Sequence, residues 1–359
     1  MVRFSVYNVE NLFSRPKVLN MADHERAAAI LKDIARLTEL LNKADYMGHA
    51  AEIKALYVKL KDYVYINIRS SKVGRYIISA EGDLIAMGRE DWDGFVDLKR
   101  ERFQEEQVQF TGKVITTVKA DIQCFVEVES ADTLARFNTD ILAAYFKDKI
   151  VVDGNDPRGI DVGLASRKGY PIETARTNVF AYDAKGTIFS RDCLEVELSV
   201  NGRRLFVLAN HFKAKDRNRV VSDDKRKRQA KRVAEILESR YDLDRDLVIV
   251  AGDLNDEPDS DPISPLYKVP GLFHAFDVTN HPADDRWTYY YGRQKQRNAI
   301  DYVFVSAALR KHVKAAGIER RGIADLATIT KGAQQSFPGI TSWRLAGSDH
   351  AAVWVDFDL

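Results

Sequence analysis

Six places in the sequence set carboxylate, carboxamide or imidazole groups at the end of an apolar run or inside one. Val2 to Tyr7 runs into Asn8, Glu10 and Asn11, a density of oxygen donors whose plainer reading is a cap or a turn. Glu127 stands among Phe125, Val126 and Val128. A carboxylate there needs a cation or hydrogen bonds to offset its lost water, unless it faces solvent from an edge strand beside Glu129. Leu205 to Ala209 ends in Asn210 and His211, with Lys213 and Lys215 close behind. Leu247 to Ala251 breaks at Gly252 into Asp253, Leu254, Asn255 and Asp256, where the i, i+2 spacing aims Asp253 and Asn255 at one point or forms an Asx-turn. Asp301 lies inside the run Ala299 to Val305 and needs a partner; His350, in Gly347-Ser348-Asp349-His350, is the best candidate.

Together these groups supply carboxylates, carboxamides and two histidines at strand ends, the inventory of a hydrolase that uses a hard cation. Oxygen ligands select Mg²⁺, with Mn²⁺ or Ca²⁺ as substitutes, over Zn²⁺, which more often recruits His or Cys at close spacing.

The elements that must position them are strands. Apolar runs or alternations recur at Val2 to Tyr7, Ile122 to Val128, Ile160 to Ala165, Arg204 to Ala209, Leu247 to Ala251, Ala299 to Val305 and Ala351 to Phe357. Several are apolar throughout, as strands covered on both faces are, and the helical spacing of Val108, Thr111, Ile115 and Val118 falls between two of them. A layered α/β fold follows. A second helix is expected before Leu247, capped by Ser222, with Asp223 and Asp224 in its first turn and an apolar stripe of Val233, Ile236, Leu237 and Tyr241. Residues 14 to 112 read as an insertion. Ile30, Ile34, Leu37 and Leu41 share one helical face and Ile53, Leu56, Leu60 and Val64 another, with Met47 and Gly48 at the break. Tyr63 to Ile68 and Val73 to Ser79 then resemble two short strands, and Trp92 a turn anchor.

The chain has 359 residues, 45% of them hydrophobic, enough for a well-buried core, and no apolar run approaches the roughly 20 residues that span a bilayer. With 54 Lys+Arg against 53 Asp+Glu the bulk charge demands no polyanionic partner, so any such preference rests on local patches. Cys124 and Cys193 sit in apolar runs and are expected as buried free thiols. The first strand begins at Val2, which leaves no room for a leader and points to the cytosol.

Taken in order, the stretches VYNVENLF, ADIQCFVEVES, RGIDVGLASR, LANHFKAK, VAGDLNDEP, AIDYVFVS and GSDHAAV resemble the endonuclease/exonuclease/phosphatase superfamily, with the deoxyribonuclease I-like fold. The resemblance covers residues 2 to 13 and about 113 to 359. It implies a four-layer α/β/β/α sandwich that hydrolyses phosphoesters with a divalent metal. On that basis Glu127 is the metal-binding Glu, Asn8 helps hold the metal or its water, and Glu10 stands where some nuclease branches have a second acidic ligand. Asp253 and Asn255 match the pair that handles the attacking water and the phosphate. Asp349 and His350 match the terminal pair, Asp near the metal and His on the scissile phosphate, with Asp301 orienting that His. His211 matches a second phosphate-side histidine and Asn210 a neighbouring polar contact. Arg158 is a further phosphate candidate, its alternative a surface pair with Asp161.

For the substrate, Lys213 to Arg232 holds 10 Lys+Arg and 3 Asp beside His211, either a track for a nucleic-acid backbone or a solvated face with local ion pairs. Trp287, Tyr289, Tyr290 and Tyr291, interleaved with Arg293, Lys295 and Arg297, suit splayed bases or core packing. A nuclease, most simply an endonuclease acting on DNA in preference to RNA, is the leading expectation. A phosphoesterase for small or lipid-linked phosphates is the alternative, and residues 14 to 112 are a candidate surface for a protein partner if the face of Ile30, Ile34, Leu37 and Leu41 is exposed.

Overall fold

The computed structural model describes residues 1–13, 16–19, 21, 23–100 and 106–359, and the side chain of Asn11 lies outside the described set. The chain divides into two compact units, Met1–Phe13 with Phe103–Leu359, and Ser14–Arg102.

In the first unit the alternating runs become two six-stranded sheets. One is ordered Val313–Glu319, Ala352–Phe357, Val2–Leu12, Ile122–Val128, Asp161–Ser166, Asp148–Val152; the other Leu272–His274, Asp301–Ser306, Leu247–Asp253, Arg203–His211, Cys193–Val200, Ile172–Arg176. Their period of two sends Phe4, Val6, Cys124 and Val355 from the first sheet into one core with Val196, Val207, Ile249 and Val303 from the second. The opposite faces are apolar as well, so each takes helices. Tyr7 and Phe125 pack with Val114, Ile115 and Val118 of the Glu106–Val118 helix and with Leu134 and Phe137 of Ala131–Asp140. Leu208, Val250 and Phe304 pack with Val233, Ile236 and Leu237 of Arg219–Arg240. The result is a four-layer α/β/β/α sandwich. Cys124 and Cys193 are free and buried.

Three local expectations are corrected. The Arg219–Arg240 helix starts a turn before Ser222, because Asn218 caps it by accepting from the Val221 N–H at 3.3 Å; Ser222 is buried inside it with Oγ donating to Arg219 O. Val73 to Ser79 is not a strand: Val64–Ser71 pairs antiparallel with Trp92–Leu98 instead. The Glu106–Val118 helix belongs to the first unit, so the second unit ends at 102 rather than 112, since that helix spends its apolar face on the first sheet.

The second unit has its own core. Helices His24–Leu41 and Ala50–Leu60 are joined across their polar faces by the Arg36 fork on Glu52, and Leu37, Leu40, Ile53, Leu60 and Trp92 pack together. Ile30, Ile34, Leu37 and Leu41 are all buried in that cluster, so the exposed face sought for a protein partner is absent there. Trp92 anchors as expected, donating from Nε1 to Tyr46 Oη at 2.9 Å under the Arg89 guanidinium.

Candidate active site

Register does most of the assembly. On the second sheet His211 stands opposite Asp253 and Asp253 opposite Asp301, so three adjacent strands present these side chains at one level. Gly252 makes the crossing possible: its φ is +147°, and a Cβ there would lie 1.8 Å from the Asn210 carbonyl oxygen. On the first sheet the strand of Glu127 is internal, not an edge, and its pairing shifts register between Val126 and Val128. Glu127 sits in that bulge with φ +68°, which turns its carboxylate into the hollow instead of leaving it in plane with the alternation. Glu10 is in the same left-handed region, φ +50°, where the first strand shifts against Ile122–Val128.

The hollow has a volume of about 720 Å³. Glu10, Glu127, His211, Asp253, Asn255, Asp349 and His350 line it, together with Lys215, Arg217, Arg219, Tyr289 and Tyr291. Among its lining groups is the buried Asp253, whose Oδ2 is a meeting point. That oxygen accepts from Asn8 Nδ2 at 3.2 Å and lies 3.7 Å from His211 Nε2 and 3.9 Å from His350 Nε2. The other oxygen, Oδ1, accepts from the Asn255 N–H at 2.8 Å, so the Asx-turn exists and orients the acid at the same time. Asn255 has φ +56° and donates from Nδ2 to Phe212 O.

His350 Nδ1 is 2.8 Å from Asp301 Oδ2, and Thr288 Oγ1 donates to the same oxygen at 2.7 Å. Burial disfavours the imidazolium, but Asp301, Asp253 and Asp349 together hold the His350 pKa well above its usual range. His211 goes the other way. Burial and then the Arg191 guanidinium press its pKa well down, leaving it neutral. Asp253 is pushed up to about 7 by burial and then by Asp301. Burial, then Asp349, pushes Glu10 up to about 7 as well, and Asp349 is raised for the same first reason. Glu10 Oε2 accepts from the Asp349 N–H, and no Lys or Arg among the described residues pairs with either. The acidic lining formed by Glu10, Glu127 and Asp349 is of the oxygen-donor type that suits a hard divalent cation, and Asn8 Oδ1 fixes the turn by accepting from the Glu10 N–H. Among the described residues the carboxylate and imidazole ligand atoms that converge within 4.8 Å are those of Asp253, Asp301 and His350, and there the imidazole already answers Asp301.

Not every expected residue enters the hollow. Arg158 forks onto Asp156 at 3.0 and 2.8 Å, not onto Asp161, whose Oδ1 is taken by the Gly154 N–H. Arg297 lies over the Trp287 ring and donates to Ile329 O. Lys213 pairs with Asp216, and Asn210 is buried with Nδ2 on Leu208 O. Conversely, sequence reasoning passed over Arg191. It is buried, lies against both ring nitrogens of His211 and reaches Asp156 at 3.3 Å. Thr288 and Ser348 were missed too; Ser348 Oγ donates to Asn8 O and accepts from the His350 N–H, joining first and last strands. An Arg-Asp pair just ahead of the alternating run Cys193 to Val200 was the signal available for Arg191.

The sequence matches the Endonuclease/Exonuclease/phosphatase family over residues 105–350. Among curated proteins none matches. Solved structures share the fold. Truncated Caenorhabditis elegans TDP2 is 19% identical with a TM-score of 0.51, the match covering 71% of this chain and 92% of that one. D. rerio TDP2 complexed with single strand DNA product is 14% identical with a TM-score of 0.52 over the same shares, 71% and 92%. The human Nocturnin catalytic domain with bound sulfate anion is 16% identical with a TM-score of 0.50, covering 71% and 86%. No described helix is long and apolar enough to cross a membrane.

Proposed function

The chain belongs to the endonuclease/exonuclease/phosphatase family, and from that premise we propose that it is a divalent-cation-dependent phosphodiesterase that cuts nucleic acid, DNA in preference to RNA. The observation that carries the reading is the convergence on Asp253 Oδ2: two histidines and a carboxamide meet around one oxygen in a hollow that Glu10, Glu127 and Asp349 also line.

Each group then has a task. A bound Mg²⁺ would polarise the phosphoryl oxygens and offset their charge. Asp253, whose pKa of about 7 suits proton abstraction near neutral pH, takes the proton from the attacking water, while Asn8 and the Asn255 N–H keep its oxygens in place. His350, kept protonated by Asp301, Asp253 and Asp349, donates to the phosphate as its charge grows. His211, neutral, is a directed hydrogen-bond group, and the adjacent Arg191 adds positive charge. Lys215, Arg217 and Arg219 answer flanking phosphates, and Tyr289 and Tyr291 line the same hollow. The single strand DNA product bound by the D. rerio TDP2 structure supports choosing DNA.

The test is a panel of plasmid, linear duplex, single-stranded DNA, RNA and phosphomonoesters, each with Mg²⁺, Mn²⁺ or EDTA, using Asp253→Ala and His350→Ala as controls. Polynucleotide cleavage lost in both variants is the expected result. Phosphate release from monoesters alone would replace this reading with a phosphatase acting on small or lipid-linked phosphates.

A further inference from the structure

Beside the cationic lining of the hollow the first unit leaves four large apolar side chains in water. Phe180 and Tyr182 are 82% and 74% exposed, Val220 and Val221 80% and 58%. Ala181, between the two rings, packs toward the core under the Arg219–Arg240 helix, so alternation alone sends its neighbours outward. The backbone that carries Tyr182 is also held in place. The hairpin, Tyr182–Asp183 with Gly186–Thr187, is fastened to the helix by Arg228 on Asp183 and on Gly186 O, by Lys185 on Asp224 at 2.7 Å, and by Lys225 on Thr187 O. Val221, Asp224, Lys225 and Arg228 fall on one helical face, which sets the valines one turn from the hairpin's attachment. Arg219, which lines the hollow, precedes Val220 directly.

We propose that Phe180, Tyr182, Val220 and Val221, with Arg217 and Arg219, form a docking track for an unpaired stretch of the nucleic-acid substrate as it leaves the hollow. The inference rests on the nucleic-acid reading above and deepens it. Exposed rings are sequence-tolerant platforms for bases, and cations at their edge take the phosphates between. A duplex hides its base faces and gains nothing from such rings. A lipid surface fits less well, because the carboxylates of Asp183, Asp223 and Asp224 share these turns and would be pressed against the bilayer along with the rings.

The experiment compares wild type with the double substitution Phe180→Ala/Tyr182→Ala on a labelled single-stranded oligonucleotide, its blunt duplex, and bis-p-nitrophenyl phosphate, with binding to anionic phosphatidylserine vesicles measured alongside. Both side chains are exposed, so folding is not at stake. The track predicts that KM for the single strand rises about ten- to a hundredfold while the duplex and the small diester are unaffected. Unchanged KM for the single strand, in an enzyme that still cuts it, overturns this inference alone. So does a loss confined to vesicle binding, which would assign the patch to lipid. A wild type that cuts no nucleic acid at all overturns both this and the proposed function.

Discussion

Nδ1 of His350 lies 2.8 Å from Oδ2 of Asp301, and Asp301 itself is one strand-pair from Asp253. A buried imidazole on its own would shed its proton, so the charge on His350 depends on that neighbour.

Replacing Asp301 with Asn keeps the shape and removes the counter-charge. The raised pKa should then fall, so His350 loses its proton at lower pH and the alkaline limb of kcat/KM moves toward acid. Activity at neutral pH should drop roughly 10²- to 10⁴-fold. A pH–rate profile of Asp301→Asn checks this; an unmoved alkaline limb would separate His350 from catalysis.

Asp256 joins a buried guanidinium to a lysine of the hollow, its Oδ2 accepting from Arg226 Nε at 2.9 Å and its Oδ1 lying 2.7 Å from Lys215 Nζ. If Asp256 acts by holding Lys215 in the hollow, Lys215→Met and Asp256→Asn each raise KM for a polynucleotide, and the double variant is little worse than Asp256→Asn alone, a coupling of about 1 kcal/mol. Strictly additive effects in the double-mutant cycle would show that the pair does not position the lysine.

Gly252→Ala should abolish the fold locally or entirely, since the new methyl would meet the Asn210 carbonyl at 1.8 Å in a backbone that no L side chain favours. The expected loss is above about 4 kcal/mol in a urea titration, or no soluble protein. A variant with near wild-type stability would contradict the close approach of the two strands.

His274 is buried among the rings of Phe276, Tyr302 and Phe304, and burial pushes its pKa down to about 4. Against an unfolded value of about 6.5, the unfolded chain binds more protons between those limits. Stability is therefore full above about pH 6.5 and declines as pH falls toward 4, by up to about 3 kcal/mol from this one group. His274→Phe should flatten that part of the acid limb, read from Tm against pH; an unchanged slope would show that the ring is charged or exposed.

How much of this was legible in the sequence differs from residue to residue. The long strands were, because their apolar runs or alternations feed cores on the two faces of each sheet; so was the meeting of Asp301 with His350, because a carboxylate in an apolar strand needs a partner. Glu127 was ambiguous for a local reason: a bulge and a left-handed φ aim it into the hollow, and neither leaves a mark on hydrophobic alternation. The cap at Asn218 outcompeted Ser222 because the two residues are equally good caps a turn apart. Long cations were the least readable. Arg158 and Arg297 find closer partners in Asp156 and the Trp287 ring, while Arg191, just ahead of the neighbouring strand Cys193–Val200, reaches His211. Only tertiary placement decides among partners that a flexible side chain can reach.

The proposal to be tested is that carboxylates at strand ends of the first sheet hold a divalent cation beside Asp253 of the second, and that phosphodiester cleavage needs it. The most direct measurement is cleavage of a labelled oligonucleotide by EDTA-treated protein as Mg²⁺ is added back, for wild type and Glu127→Gln. No cleavage without the cation, saturable recovery in wild type, and a requirement for at least about tenfold more Mg²⁺ in the variant are expected. Full cleavage in EDTA, or identical Mg²⁺ curves for the two proteins, would contradict the proposal.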